Sequence, residues 1–261
     1  MIKYSLSKLV TECLGTFLIT MLFMSTNSFA LLAGYWIITI FSWKLSGAQF
    51  NPAITLAYVL RKDRDAAHMG WPLGFCYVGA QCAGAYLGAL LMGFFNWTAL
   101  PLVPGEVVGD DTDYKIFGAM MQESLGAFML VVFYMMQSDE KMHFSNEQSI
   151  NCFIIPSSYF AARAIFNGTN AVVSSPYGAC CNPAIAFGID LTAFIDEPGL
   201  SASWFWIYLA LPFAGSICAF LFYEFVFKKT QQMLGHHEEE EIDDDVAKRV
   251  DEQVEEGVLD A

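Results

Sequence analysis

Long apolar stretches alternate with short polar segments along most of this chain. A helix that crosses a bilayer needs about 20 predominantly apolar residues. By this criterion the pattern predicts six spanning helices, at residues 6–27, 29–45, 70–95, 115–137, 148–167 and 203–227. Two shorter apolar pieces, 51–60 and 182–190, cannot cross, and both begin with Asn-Pro-Ala. We therefore expect an all-α membrane protein, a six-transmembrane bundle with two half-helices.

The composition agrees with a membrane protein and shows an uneven distribution of charge. Charged residues make up 15% of the 261-residue chain and hydrophobic residues 55%, whereas soluble domains carry about 25% charge. The net charge of −14 is concentrated at the end, where residues 236–261 hold 12 acidic and 2 basic residues. The rest of the chain is nearly neutral, so its charge does not suggest a nucleic acid as a partner.

The sequence offers little candidate chemistry. It shows no pairing of nucleophile and base and no cluster of metal ligands, so we expect no enzyme activity, no cofactor and no bound metal. Seven cysteines are present without the spacing of a zinc site or a disulfide framework. Because most of them lie in apolar stretches, we expect them to act as small packing residues.

Basic residues in the loops predict the orientation of the chain, since cytoplasmic loops carry an excess of lysine and arginine. With six spans, eight basic residues fall on one side: Lys3, Lys8, Arg61, Lys62, Arg64, Lys141, Lys228 and Lys229. The opposite loops hold Lys115 among several acidic residues. We therefore predict a multi-pass protein of the plasma membrane or an organelle membrane, with both termini cytoplasmic.

The two halves of the chain resemble each other at three places. The matching segments are ECLGTF (12–17) and ESLGAF (123–128), NPAITLA (51–57) and NPAIAFG (182–188), and an Ala-Gly pair ending at Gly84 and at Gly215. Each half contains three predicted spans, an odd number, so the two repeats must have opposite orientations in the membrane. Inverted repeats place their shared site near the middle of the bilayer.

Each Asn-Pro-Ala predicts the start of a half-helix. Asparagine is a favoured N-cap, and proline is favoured at the first helical position. Half-helices entering from opposite faces would meet at their N-termini, where each helix dipole contributes about half a positive elementary charge. The amides of Asn51 and Asn182 add hydrogen-bond donors there. Such a junction would admit a small neutral solute and repel cations and protons.

Together these features resemble the aquaporin (major intrinsic protein) family from about residue 8 to residue 228. The segments similar to the family are SGAQFNPAITLA at 46–57, AQCAGA at 80–85 and WIYLALPFAGS at 206–216. The resemblance implies six spans plus two half-helices, one pore per subunit and a homotetramer. It assigns the pore motifs to Asn51, Pro52 and Ala53 and to Asn182, Pro183 and Ala184.

The chain departs from that family at the selectivity filter. The family usually carries an arginine directly after the second tripeptide, where this chain has Ile185. Counting from the asparagines places two further filter positions at Leu31 and Ala179, so the predicted filter is apolar and small. Arg163, near the end of the fifth span, has two interpretations. In the first, its side chain snorkels to the lipid headgroups or binds loop carbonyls. In the second, its guanidinium restores a positive charge near the position of the missing filter arginine.

Two glutamates match the buried carboxylates of the family's first and fourth spans. Glu12 and Glu123 could relay protons, but we favour a structural role in which they accept hydrogen bonds from loop amides. Two cysteines, Cys180 and Cys181, directly precede the second tripeptide. They are either packing residues or thiols at the pore mouth that react with mercurials.

The predicted organisation is a channel domain followed by a tail. Residues 1–230 form the domain, with one repeat at about 1–100 and the other at about 112–230, and residues 231–261 form an acidic cytoplasmic tail. We expect a tail of this charge to be disordered. The alternative is that it binds a cytosolic partner. Glycosylation sequons begin at Asn96 and Asn167 on the predicted outer side.

The function that these features predict is passive conduction through the membrane. The solute is water or another small neutral molecule such as glycerol, urea or peroxide, and ions and protons are excluded. The alternative is a poorly conducting, channel-like subunit with a structural or assembly role in a membrane complex. The missing filter arginine and the long acidic tail keep this alternative open.

Overall fold

The computed structural model of the chain describes residues 2–61, 69–96, 100–104, 112–166, 177–195 and 198–234. Contacts divide the chain into two units, Met1–Phe220 and Leu221–Ala261. The first unit contains the duplicated tripeptides and nearly all of the helical structure. The acidic tail from residue 235 onward and the sequon at Asn167 lie outside the described residues.

Helices account for all of the regular structure in the described residues, which confirms the predicted fold class. In chain order they are α1 (Ile2–Met24), α2 (Ser28–Ser46), α3 (Pro52–Leu60), α4 (Trp71–Asn96), α5 (Thr112–Gln137), α6 (Gln148–Phe166), α7 (Pro183–Ala193) and α8 (Pro198–Phe222). Six of them have 19 to 26 residues, whereas α3 has 9 and α7 has 11. The long and short helices therefore follow one another in the order that the hydrophobic pattern predicted, with α3 and α7 as the short ones.

Within the described residues, five helical segments are long and apolar enough to cross a membrane. They are Leu6–Met24, Ser28–Ser46, Trp71–Phe95, Ile116–Gln137 and Ser201–Leu234. The helix α6 has 19 residues, the same length as α2, but polar side chains such as Asn151, Ser158 and Arg163 lower its hydropathy. All three of these side chains are buried, so these polar groups of α6 face the protein.

The ends of the half-helices follow from their capping residues. Because Asn51 and Asn182 adopt extended backbone conformations as N-caps, α3 and α7 begin one residue later, at the prolines. The second half-helix also continues three residues past its predicted end at residue 190. Its apolar pattern is interrupted by Asp190, but this carboxylate is buried and does not end the helix.

Close helix contacts repeat between the two halves of the first unit. The helix α1 packs against α2 and α4, and α5 packs against α6. A side chain at Gly84 of α4 would collide with the backbone carbonyl of Cys13 in α1, and one at Gly215 of α8 would collide with that of Ser124 in α5. Small residues allow membrane helices to approach this closely, so the Ala-Gly pairs mark equivalent helix contacts.

The second unit begins with the last residues of α8. A π-helical turn follows at Tyr223–Phe227, and helical structure continues to residue 234. Within the turn, the rings of Tyr223 and Phe227 stack with centroids 6.0 Å apart. The carboxylate of Glu224 lies 4.0 Å from the ammonium group of Lys228, one turn later.

Candidate functional site

Each asparagine of the tripeptides donates a hydrogen bond to the residue that precedes the other asparagine. The Asn51 Nδ2 donates to the carbonyl of Cys181 at 2.9 Å, and the Asn182 Nδ2 donates to the carbonyl of Phe50 at 2.9 Å. Each side-chain oxygen meanwhile accepts from the backbone N–H two residues later, at 2.9 Å for Asn51 and 3.0 Å for Asn182. The N-termini of α3 and α7 therefore meet at one buried junction.

A short irregular segment leads into each asparagine. We call residues 46–50 the first connection and residues 177–181 the second connection. Four residues before each asparagine stands a glycine with positive φ, 91° at Gly47 and 82° at Gly178. The residue directly before each asparagine also has positive φ, 52° at Phe50 and 50° at Cys181. The two connections thus share left-handed bends at equivalent positions, although their side chains differ.

A buried carboxylate from α1 supports the first connection. Glu12 accepts from the backbone N–H of Gln49 at 3.1 Å and from that of Phe50 at 2.7 Å. It also accepts from the Ser46 hydroxyl at 2.6 Å and from the Gln81 amide at 2.9 Å. Four donors therefore surround a carboxylate that is fully removed from solvent.

The second connection is supported in the same way from α5. Glu123 accepts from the backbone N–H of Cys180 at 2.7 Å and from that of Cys181 at 2.6 Å, the equivalent positions. The residue that corresponds to Gln81, thirty residues after the asparagine, is Pro212. Because proline has no side-chain donor, Glu123 lacks the side-chain hydrogen bond that Gln81 gives to Glu12.

Arg163 holds the second connection from α6. Its guanidinium donates to the carbonyl of Ala179 at 2.6 Å and to that of Tyr177 at 2.6 Å. The same group lies 4.6 Å from the ring centroid of Phe23 in α1, and its Nη1 is 3.4 Å from the Tyr159 hydroxyl. The side chain is thus directed into the protein, and the contact with Ala179 brings together two of the predicted filter positions.

The other predicted filter positions are apolar and buried. Leu31 lies in the first turn of α2, and Ile185 lies in the first turn of α7. The backbone N–H of Ile185 contacts the Asn182 Oδ1 at 3.4 Å, so this residue takes part in the cap. The position where the family usually has the filter arginine therefore carries no charge. Among the described residues, the positive charge at the second connection comes from Arg163 of α6.

Three buried tyrosines bind the connections through their hydroxyl groups. The bonds are from Tyr77 to the Ser46 carbonyl (2.9 Å), from Tyr134 to the Gly47 carbonyl (2.6 Å) and from Tyr159 to the Cys180 carbonyl (2.9 Å). The sequence reasoning missed these residues. Tyrosines scattered along apolar helices are typical of ordinary aromatic packing, so nothing in their spacing distinguished them.

The segment at residues 100–104 lies over the second connection. Asp190 of α7 accepts from the backbone N–H of Leu102 at 2.8 Å, and the Tyr177 hydroxyl accepts from that of Leu100 at 3.1 Å. Asp190 is buried, and the sequence reasoning assigned it no role. It anchors a loop onto the end of the molecule that contains Arg163.

A cavity of about 300 Å³ opens beside the first connection. It is lined by Lys8, Trp43, Lys44, Leu45, Ser46, Gly47, Gln49, Tyr58, Met69, Leu73, Tyr77, Tyr134 and Ser138. The residues from the first connection are Ser46, Gly47 and Gln49. This cavity therefore reaches the polypeptide that leads directly to Asn51.

The fold and the site define a class of helical membrane protein built from an inverted repeat, with two half-helices that meet end to end. Within this class the chain belongs to the major intrinsic protein family, whose sequence pattern matches residues 3–223. This match confirms the predicted family. Members of the family are channels rather than enzymes, in agreement with the expectation that the chain is not an enzyme.

Several relatives share parts of the sequence. Aquaporin-6 of Rattus norvegicus is 47% identical over 51 residues, which are 20% of this chain and 17% of that protein. Probable aquaporin PIP2-5 of Arabidopsis thaliana is 26% identical over 184 residues, 70% of this chain and 60% of the relative. The glycerol uptake facilitator protein of Bacillus subtilis is 25% identical over 221 residues, 74% and 73% of the two chains. The chain thus matches less than two thirds of the length of both aquaporins.

A solved structure supports the fold over most of the chain. The X-ray structure of the aquaglyceroporin from Plasmodium falciparum superposes with a TM-score of 0.68. The superposition covers 88% of this chain and 99% of that protein, at 18% sequence identity. At this identity the likeness establishes the shared fold alone.

Proposed function

We propose that the protein is a passive channel for water or another small neutral solute. The observation that carries this proposal is the pair of hydrogen bonds across the junction of two half-helix N-termini, from Asn51 to the Cys181 carbonyl and from Asn182 to the Phe50 carbonyl. A side-chain amide has two N–H donors, and each cross-link uses one of them. One donor on each asparagine is therefore left for a passing solute that can accept a hydrogen bond.

The same junction supports the exclusion of ions. Two helix N-termini each contribute about half a positive elementary charge, and both amides add donors that a cation cannot use. A cation would also have to lose hydration there, at a cost of several kcal/mol that a few carbonyls do not offset. Neutral solutes avoid both penalties because they carry no net charge.

The filter that we propose consists of Leu31, Ala179, Ile185 and Arg163. The position after the second tripeptide is an isoleucine and supplies no charge. In this proposal the positive charge of the filter is therefore that of Arg163 in α6. A guanidinium has five N–H groups, and its bonds to Ala179, Tyr177 and Tyr159 use three of them. Among the described residues, two N–H groups of Arg163 therefore remain to contact a solute.

The carboxylates in this proposal are structural. Glu12 and Glu123 each accept backbone N–H groups from a connection that would otherwise present them to an apolar interior. Unsatisfied backbone groups cost several kcal/mol in a membrane. Because these contacts give both carboxylates fixed hydrogen-bond partners, we favour a structural role for them over a role in proton relay.

The organisation that we propose follows from charge and repetition. A channel domain at residues 1–230 contains the repeats at about 1–100 and 112–230, and the acidic tail at 231–261 lies in the cytosol with both termini. Eight basic loop residues on one predicted side support this orientation. Family membership supports a homotetramer, and the charge of the tail suits a basic cytosolic partner.

Swelling of proteoliposomes measured by stopped flow tests the function. Purified protein is reconstituted, and the uptake of water, glycerol, urea and peroxide is compared with that of empty vesicles. We expect at least one of these solutes to enter faster, and an inward-facing pore mutation such as Asn182→Leu to remove the difference. Transport equal to that of empty vesicles for all four solutes would contradict the channel and leave a structural subunit.

A further inference from the structure

One tyrosine of α6 reaches from its helix to the second connection. The Tyr159 hydroxyl donates to the carbonyl of Cys180 at 2.9 Å. Cys180 lies two residues before Asn182, so this carbonyl belongs to the polypeptide that enters the half-helix junction. The side chain of Tyr159 is 2% exposed. It therefore links α6 to the second connection through a buried side chain.

A second tyrosine packs against the first from α2. The rings of Tyr35 and Tyr159 lie with their centroids 5.9 Å apart and their planes at 72°. This is the contact distance of an edge-to-face aromatic pair, so no solute fits between the rings. Tyr35 is 3% exposed. The pair thus forms one continuous block on the side of the conduit where α2 and α6 meet.

This block lies deeper than the filter predicted from the sequence. Tyr35 follows Leu31 by four residues, and Tyr159 precedes Arg163 by four residues, about one helical turn in each case. The two helices run in opposite directions, because α2 is the second and α6 the fifth of six successive spanning helices. Both steps therefore move in the same direction, from the Arg163 level towards the asparagines.

We propose that Tyr159, backed by Tyr35, sets the upper size limit for solutes in this protein. This inference rests on the proposed channel function. A water molecule can pass by exchanging hydrogen bonds with the hydroxyl and with the Cys180 carbonyl. A glycerol-sized solute requires the ring to leave, which breaks the bond to Cys180 and the contact with Arg163 at 3.4 Å.

The test uses two substitutions of graded size at one position. Tyr159→Phe keeps the ring and removes the hydroxyl that holds it, whereas Tyr159→Val removes the block. A matched control is Tyr208→Phe in α8, because Tyr208 is also buried but its hydroxyl has no hydrogen-bond partner in the described part of the chain. All variants are reconstituted in the same vesicles, and water and glycerol uptake are measured by stopped flow.

We expect glycerol uptake to rise by roughly 2- to 10-fold in Tyr159→Phe, the rate equivalent of one net hydrogen bond. Tyr159→Val should raise it further, and Tyr208→Phe should match the unmodified protein. Glycerol uptake through Tyr159→Val that equals that of the unmodified protein would overturn the size limit. Where water still passes, the channel function survives that result. Where no vesicle passes any solute, both proposals fail.

Discussion

The first and second connections have similar backbones but different surroundings. Both bend through left-handed residues at the same positions, and both bind a buried glutamate through two backbone N–H groups. The first connection adds a network of polar side chains, in which the Thr55 hydroxyl binds Gln49 at 2.7 Å and Gln81 at 3.0 Å. The second connection carries two cysteines instead and is held by Arg163 and Tyr159 of α6.

This difference shows that the two halves share the backbone frame of the site but not the side chains around it. The equivalent residues Phe50 and Cys181 both fill space next to a glycine, Gly15 in α1 and Gly126 in α5. The large ring and the small thiol thus occupy matching places. Among the described residues, Arg163 donates hydrogen bonds to two carbonyls of the second connection, whereas uncharged glutamine and threonine side chains form the network at the first connection. The two connections therefore differ in their polar partners although they share a backbone.

The largest effect is expected from removing the carboxylates. Among the described residues, Glu12→Ala leaves four donors without their acceptor and Glu123→Ala leaves two. Each unsatisfied buried donor costs about 1–3 kcal/mol. Both variants should lower the free energy of unfolding, Glu12→Ala by the larger amount. Thermal unfolding of the purified protein in detergent measures this order.

The control for this comparison is Glu140→Ala, because Glu140 is an exposed residue after α5. It should unfold at the same temperature as the unmodified protein. An equal loss of stability in Glu12→Ala and Glu123→Ala would show that the polar network of the first connection adds nothing to its support.

The next effect concerns the glycines behind the connections. A methyl group at Gly15 would collide with the Phe50 ring, and one at Gly126 would collide with the Cys181 sulfur. Gly15→Ala and Gly126→Ala should each destabilise the protein by about 1–3 kcal/mol, the usual cost of overpacking. Unfolding temperatures of the two single variants check this value.

Paired substitutions test whether these contacts are specific. Phe50→Leu should restore part of the stability that Gly15→Ala loses, and Cys181→Ala should do so for Gly126→Ala. Crossed pairs, in which Phe50→Leu is combined with Gly126→Ala, should show no restoration. Restoration in the crossed pairs would mean that the two glycines do not serve separate connections.

A smaller effect is expected at the filter. Ile185→Arg adds a second cation near the second connection and should lower glycerol uptake relative to water by a few-fold, since a lost or gained polar contact is worth about 1 kcal/mol. Arg163→Leu should act in the opposite direction. Ratios of glycerol to water permeability in proteoliposomes report both changes, and unchanged ratios would place the filter elsewhere.

The smallest effect is expected in ion conduction. The unmodified protein and Arg163→Ala should both show no cation current above background in planar bilayers, because the half-helix dipoles and asparagine amides are fixed by the fold. Arg163→Ala serves here as the comparison that removes the cation of the second connection. A clear sodium or proton current in the unmodified protein would show that the junction alone does not exclude ions.

Much of the fold was readable in the sequence. Apolar stretches of spanning length predicted the long helices, and Asn-Pro at the start of each short stretch predicted where α3 and α7 begin. These features depend on residues close together in the chain, so a local pattern contains them. The repeat also follows from local matches, since similar segments recur with the same spacing after each asparagine.

The tertiary structure alone decided which side chains meet. Arg163 has no neighbour in sequence that reveals its contacts, because the carbonyls that it binds belong to residues 16 and 14 positions further along the chain. The hydroxyl of Tyr159 binds Cys180, and the hydroxyl of Tyr134 binds Gly47, 87 residues away. Such contacts depend on the packing angles and the rotation of the helices. A tyrosine on an apolar helix donates a hydrogen bond only where the neighbouring segment places an acceptor opposite its hydroxyl. The sequence by itself therefore determined the frame of the site. The packing of α1, α4, α5 and α6 against the two connections determined which polar side chains surround it.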